Sequence, residues 1–450
     1  MCIIVAALTK GVVKLEAIKM KYGREEVNIE LQNGGFLGLI QSKGMVDIKP
    51  EEQAIMEALE NPIGSKRLRD IVKRSEKVCI IISDTTRAWQ KMDIYLPYIV
   101  EELNKVGIED KDITFLCATG SHRPQTQEEH RTLLGEKLDH RFEVIEHNCR
   151  DEASLTRLGT TSFGTPVIVN KIAVESDHII LTGAIVFHDL VGWGGGKKSI
   201  LPGISAYESI MANHSLSLNP QKGEGTNPLV RCGNVLNNPV HMDMLEAAAF
   251  VKPSFLFNVI IDEHGNIGKA VAGDYIKAHE AGRQMVDEID SAYIEEKADM
   301  IVVSAGGFPK DINLYQASKA LINAKEAVNE GGVIILLAEC IEGFGGEEVQ
   351  WIIEEFSENI GRERALREAY TVEKYTGYLI AEIAENFNVI LVSSLEPEML
   401  GNTSIKVTAS VMEALDIARQ LKGDSITTYF MPYGANTLPR SFYLRADDMK

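Results

Sequence analysis

Short apolar runs alternate with amphipathic stretches along most of the chain, the pattern of an α/β fold in which strands and helices follow one another. Lys77–Ser83 (KVCIIIS), Ile113–Cys117, Phe142–Glu146 and His178–Phe187 read as strands. Their continuous apolar character suits a parallel sheet covered on both faces. Between them, Asp93–Val106 carries apolar residues at helical spacing and stops before Gly107, and Thr126 with Glu129 forms a capping box for a further helix. An opening hairpin is predicted from Ile18–Tyr22 and Val27–Leu31 around Gly23, and a second from Phe255–Asp262 and Ile267–Ala272 about the turn EHGN. Tyr275–Ala298 reads as one long charged helix. The pattern then restarts with strands at Met300–Ser304, Val333–Leu337 and Val389–Val392. Helices are predicted at Tyr315–Asn329, Glu347–Phe356, Glu363–Ala369 and Ile405–Leu421.

A chain of 450 residues is too long for a single core. The restart places a boundary near residue 295, giving a first domain over 17–295 and a second over 296–425, with 426–450 expected to pack back on the first. Each domain is predicted to hold a mostly parallel sheet flanked by helices, with the active site in the cleft between them. There is no internal repeat.

The net charge of −19 argues against a nucleic-acid partner, which needs clustered Lys and Arg. No apolar run approaches the roughly 18 residues of a membrane span. The start, MCIIVAAL, has no basic n-region and meets Lys10 and Lys14 at once, so it does not read as a secretory signal. It reads instead as an extension ahead of a fold that begins near Ala17. The six cysteines are scattered without a C-x-x-C pair, which removes zinc ribbons and redox motifs and points to a reducing, cytoplasmic home.

The unusual polar residues fall just after strands, where parallel sheets gather ligands. SDTTR (83–87) supplies Asp84 and Arg87, the latter a bidentate clamp for a carboxylate or phosphate, although Asp84 and the threonines also suit a simple turn. ATGSHRP (118–124) puts His122 beyond a strand end. HDLVGWGGGKKSILPG (188–203) has five glycines, and Gly194, Gly195 and Gly196 are placed to form an anion nest ahead of Lys197 and Lys198. It is not a Walker A loop, because Val191 stands at the first glycine and Lys198 at the hydroxyl; nor does it carry the dinucleotide pattern, whose last glycine falls on Lys197. NHS (213–215) offers His214, after a short helix predicted over Ala206–Met211, as a nitrogen donor suited to nickel or copper. In the second domain, Gln316 and Lys319 lie three apart on one helical face near Tyr315. The remaining histidines fall in charged surroundings or at element starts, and none forms the H-E-x-x-H of a zinc protease.

Taken together, Asp-x-Thr-Arg, Ala-Thr-Gly-x-His-Arg-Pro, a histidine followed ten residues later by a lysine, Asn-His-Ser and Tyr-Gln-Ala-x-Lys resemble the nickel-pincer lactate racemase family in motif and order. The resemblance implies an isomerase, a racemase or epimerase of α-hydroxy acids. Its cofactor would be the nickel-pincer nucleotide, pyridinium-3,5-bisthiocarboxylic acid mononucleotide with Ni, installed by cofactor biosynthesis proteins. Carried over by position, Lys198 tethers the nucleotide, His214 ligates nickel, and His122 and His188 are the paired acid/base residues. Arg87, Gln316 and Lys319 bind substrate, while Asp84 and the glycines 194–196 lie with the cofactor. The partner is a small α-hydroxy acid: lactate, malate, another 2-hydroxy acid or an aldonic acid.

This chain departs from the pattern around His188. Phe187 stands in place of a proline, Asp189 and Leu190 in place of aromatic residues, and Trp193 and Gly194 ahead of the glycine pair. The alternatives are a nicotinamide-dependent hydroxy-acid dehydrogenase, disfavoured by the missing glycine pattern, and a non-catalytic cofactor binder, which would need Lys198 and His214 but neither His122 nor His188.

Overall fold

The computed structural model describes residues 6–9, 12–15, 17–30 and 35–441. It divides into two compact units, one of Gly44–Ser217 with Asn227–Ile289, the other of Met1–Lys43, Leu218–Thr226 and Asp290–Lys450. Both are α/β, as the alternation of runs predicts.

The first unit is built on strands β1 (Val78–Ser83), β2 (Ile113–Ala118), β3 (Val144–Glu146), β4 (His178–Ala184), β5 (Phe255–Ile261) and β6 (Ile267–Gly273). They lie in the order β6-β5-β4-β1-β2-β3. All neighbours run parallel except β5 and β6, the predicted hairpin, which are antiparallel. Ile80, Ile81 and Ile82 are fully buried, as continuous apolar runs in a covered sheet require. Helix α1 (Met92–Lys105) lays Tyr95, Leu96, Ile99, Val100 and Leu103 onto the core with Val78, Ile80, Phe115 and Phe257. Thr126 caps α2 (Gln127–Leu134) through the capping box foreseen with Glu129. Ser83 pairs with Ala118, and Leu181 with Ile81, so β1, β2 and β4 end at nearly one level and release their loops from the same edge. Further elements are α3 (Tyr207–Ser215), α4 (Pro239–Val251) and α5 (Lys277–Asp290).

The second unit holds β7 (Ala298–Ser304), β8 (Val328–Leu337), β9 (Asn388–Val392), β10 (Lys406–Thr408) and β11 (Thr428–Met431). In the order β10-β9-β8-β7-β11 they form a fully parallel sheet completed by Phe36–Leu39 at its edge. The antiparallel hairpin Ile18–Tyr22 and Glu25–Ile29 puts Ile18, Met20 and Ile29 into the same core as Val302, Ile335 and Phe430. Helix α6 (Leu314–Ala324) starts at Asn313, whose side chain accepts from the Gln316 N–H at 3.0 Å.

Several elements differ from the sequence pattern. The long helix over 275–298 is helical only as α5; Ser291–Ile294 then turns into a strand pairing with Leu438–Ser441, a partner no local pattern reveals. The last strand-helix pair is β10 and a helix over Val411–Lys422, capped by Ser410, where one helix from 405 was expected. Val372–Asn386 is a helix that the sequence pattern did not mark, and it buries Tyr375 and Tyr378. Among the described residues no helix is long and apolar enough to cross a membrane.

Candidate active site

Five sequence-predicted side chains, Asp84, Arg87, His122, His188 and Lys198, come together in the first unit, on loops leaving the carboxyl ends of β1, β2 and β4. Asp84 follows β1 and caps the 3-10 turn Thr85–Gln90, accepting from the Thr86 N–H at 3.1 Å. Its other carboxylate oxygen meets Nδ1 of His122, from the loop after β2. Asp84 is 2 % exposed while the His122 side chain is half exposed, so the carboxylate anchors and the ring faces outward. Burial alone pushes the Asp84 carboxyl up. The His122 bond and charge, the Thr86 donors and Arg87 outweigh it and hold the group below the ordinary carboxylate range. Arg87 is exposed, its guanidinium steadied by the Thr86 hydroxyl at 3.1 Å, and its charge acts on both Asp84 and His188.

The loop after β4 turns back as a two-residue hairpin, Phe187–His188 against Gly192–Trp193, closed by the Phe187 and Trp193 rings at 5.6 Å. It then tightens into a 3-10 turn over Gly196–Ser199 that carries Lys198. The Lys198 ammonium is thereby set against Nε2 of His188. Burial first, then the Lys198 charge, pushes the His188 ring down to about 4, leaving it neutral at pH 7. The Gly120 N–H donates to the Gly203 carbonyl at 2.9 Å, which ties the loop of His122 to the end of the loop of His188 and Lys198.

The glycines work differently from a simple anion nest. The Gly194 N–H is used by the Val186 carbonyl at 2.8 Å and the Gly196 N–H by Asn258 Oδ1 at 2.9 Å. Their value is close packing. Gly195 has φ +76°, and a Cβ there would lie 2.7 Å from Asn258 Oδ1 and 2.9 Å from the Ala184 carbonyl.

His214 lies inside the last turn of α3, which runs to Ser215 where an end at Met211 was expected. The ring is 4 % exposed, and burial, with the Lys198 and His188 charges, drives it down to about 3. Its Nδ1 has no hydrogen bond among the described residues, though the Ile210 carbonyl lies within polar reach. The helix end is fixed by Asn213, whose amide donates to Asp243 Oδ2 at 2.8 Å and to the Val240 carbonyl at 3.1 Å. Gln316 and Lys319 lie on α6 of the other unit, where the Lys319 ammonium donates to Gln316 Oε1 at 2.6 Å.

Sequence reasoning missed a buried basic layer beneath the glycine loop. Lys197 is 1 % exposed with no hydrogen-bond partner for Nζ among the described residues, and burial holds its amine well below the usual lysine range. Arg283, His241 and His279 act on it or feel its charge. The doublet Lys197-Lys198 was the only local hint; the other three come from α4 and α5. His147 and Asp243 were likewise unsignalled, since their partners are far away in sequence.

Residues 22–225 match the family model of the lactate racemase N-terminal domain, and residues 294–438 that of the lactate racemase C-terminal domain. The lactate racemase of Thermoanaerobacterium thermosaccharolyticum is 33 % identical over 430 residues, covering 94 % of this chain and 99 % of that protein. The lactate racemase of Lactiplantibacillus plantarum is 32 % identical over 433 residues, with the same coverage. The structure of the Thermoanaerobacterium lactate racemase apoprotein superposes with a TM-score of 0.86 over 94 % of this chain and all of that one. A protein from Thermotoga maritima, 19 % identical with a TM-score of 0.62 over 88 % of this chain, shares the fold. The chain belongs to the lactate racemase family and is an isomerase of the racemase class.

Proposed function

We propose that the protein inverts C2 of an α-hydroxy acid by removing the hydroxyl proton and the C2 hydride and returning both, the hydride to the opposite face of C2. The observation that carries this reading is the convergence of Arg87, His188, Lys198 and His214 with the Asp84–His122 pair, one acid/base candidate from each of two tied loops.

Simple deprotonation at C2 is hard because the adjacent carboxylate resists a second negative charge. Separate transfer of proton and hydride avoids that carbanion and passes through a planar α-keto acid. His122 and His188 would each serve one enantiomer by taking the hydroxyl proton, which needs a neutral ring, as His188 is at pH 7. The Arg87 guanidinium would hold the substrate carboxylate through both halves of the reaction. Gln316 and Lys319 are proposed to add substrate hydrogen bonds.

The residues present fit a lysine-tethered nickel-pincer nucleotide. His214 is buried and neutral, the form in which imidazole ligates a metal, and its site is coupled to Lys198. Lys198 would tether the nucleotide, His214 would ligate nickel, and Asp84 and the glycine loop would border them. When bound, the group supplies the hydride acceptor for C2.

The test is intact mass and nickel content of protein co-produced with the cofactor biosynthesis proteins, followed by chiral chromatography of D and L hydroxy acids. A cofactor-sized adduct on the Lys198 peptide, stoichiometric nickel and interconversion of enantiomers are expected. Loaded protein that oxidises a hydroxy acid with a nicotinamide cofactor, without inverting it, would replace this reading with that of a dehydrogenase.

A further inference from the structure

His188 meets three polar groups at two ring nitrogens, and they are not compatible with one another. Lys198 Nζ stands against Nε2. At Nδ1 stand the Asp189 carboxylate at 2.8 Å and the Leu190 N–H at 3.2 Å. A neutral imidazole carries one proton. If Nδ1 holds it, Nδ1–H donates to Asp189 and, in the apoprotein, Nε2 accepts from the Lys198 ammonium. If Nε2 holds it, Nδ1 accepts from Leu190 N–H, the ring no longer donates to Asp189, and Nε2–H faces the Lys198 ammonium donor to donor. The first arrangement satisfies both charged neighbours; the second satisfies only a backbone amide. Arg87 and the buried His214 ring are the other titratable groups that act on this site.

We propose that Asp189 is a positioning residue that fixes the His188 tautomer with the proton on Nδ1, keeping Nε2 as the proton-accepting atom. The inference rests on the reading of His188 as an acid/base residue. It gives the two histidines matching designs of unequal rigidity. His122 directs Nδ1 at Asp84, buried and held by Thr86, whereas His188 directs Nδ1 at its own chain neighbour, 33 % exposed. Nothing in the glycine loop or on β4 offers His188 the kind of buried carboxylate that His122 has, so the adjacent residue supplies it.

The experiment uses the full-length apoprotein labelled with 15N-histidine, the His188 signals being assigned by their loss in His188→Gln. Two-bond 1H–15N correlations at pH 7 report which nitrogen carries the proton. The expected result is Nδ1–H in the wild type and a shift toward Nε2–H in Asp189→Ala, where Leu190 N–H becomes the remaining partner of Nδ1. Asp189→Asn, which keeps an acceptor oxygen, should restore the wild-type pattern. In the loaded enzyme, Asp189→Ala should lower kcat at least tenfold with KM nearly unchanged, a part of the roughly 10²–10⁴-fold that a positioned general base contributes. An unchanged tautomer in Asp189→Ala, or a wild-type ring already protonated at Nε2, overturns the proposal. The apoprotein arm judges Asp189 by itself. Failure of the loaded wild type to invert any hydroxy acid would instead count against the function proposed above.

Discussion

At the scale of single residues, the two histidines and the lysine carry separable predictions. Lys198→Ala should leave the apoprotein folded and abolish the covalent adduct, since this amine lies against His188 of the acid/base site; mass spectrometry of co-produced protein reads it directly. An unchanged adduct would move the tether elsewhere. His122→Ala and His188→Ala should keep the adduct and lose roughly 10²–10⁴ in turnover. Thermodynamics adds a sharper requirement. Two enantiomers have equal free energy, so kcat/KM must fall by the same factor in both directions even though each histidine serves one enantiomer. The asymmetry has to appear in the separate constants: in each variant kcat and KM should change by different factors for the two enantiomers while their ratio falls equally. Symmetric kcat and symmetric KM in both variants would argue for a single base.

At the scale of elements, the glycine loop and α3 show what the chain made legible and what it did not. β1, β2 and β4 were visible because strands covered on both faces are continuously apolar, and the loops after them were therefore placed correctly at one edge of a sheet. His214 was visible as a residue, but Asn-His-Ser reads as a helix stop because such short polar side chains compete for the backbone. Here Asn213 is instead taken up by Asp243, 30 positions later, and the helix runs on. The same holds for Ser291–Ile294 and Phe36–Leu39, whose strand partners lie beyond residue 427 in the sequence. Non-local pairing leaves no periodicity to read. The packing role of the glycines makes its own prediction. Gly195→Ala would force a Cβ into Asn258 and the Ala184 carbonyl at φ +76° and should cost about 1–3 kcal/mol. Urea unfolding of the apoprotein measures it, and a loss below about 0.5 kcal/mol would mean that the loop relaxes freely. Asp243→Ala should cost a similar ~1–3 kcal/mol, because it strands the donors of Thr161, Thr165 and Asn213 in the interior.

At the scale of the whole molecule, all ten histidines fall in the unit that carries the site, and none in the other. Five of them, His147, His188, His214, His241 and His279, are driven below the usual histidine value of 6.5, burial being the largest cause in each. His147 shows why: its Nε2–H donates to the Ser205 carbonyl at 3.0 Å while Nδ1 accepts from the Asn170 amide at 3.3 Å, so a second ring proton would displace a partner. Above pH 6.5 both folded and unfolded rings are neutral and the effect vanishes. As the pH falls below 6.5 the unfolded chain takes up protons that the folded unit refuses, so stability drops, until the folded rings titrate near 4 or lower. Each ring contributes about 1.4 kcal/mol per pH unit in that window. The carboxylates held low in both units, such as Asp84 and Asp299, act only below the ordinary carboxylate range near pH 4. Acidification from pH 7 to 5 should therefore open the histidine-bearing unit first. Hydrogen exchange read by mass spectrometry, corrected for intrinsic rates, should show β1, β2 and β4 losing protection while β7, β8 and β9 keep theirs. Loss of protection in both units at one pH, or in the second unit first, would show that the buried histidines do not govern the acid limit. His147→Gln should then narrow the gap between the units, because one refused proton has been removed.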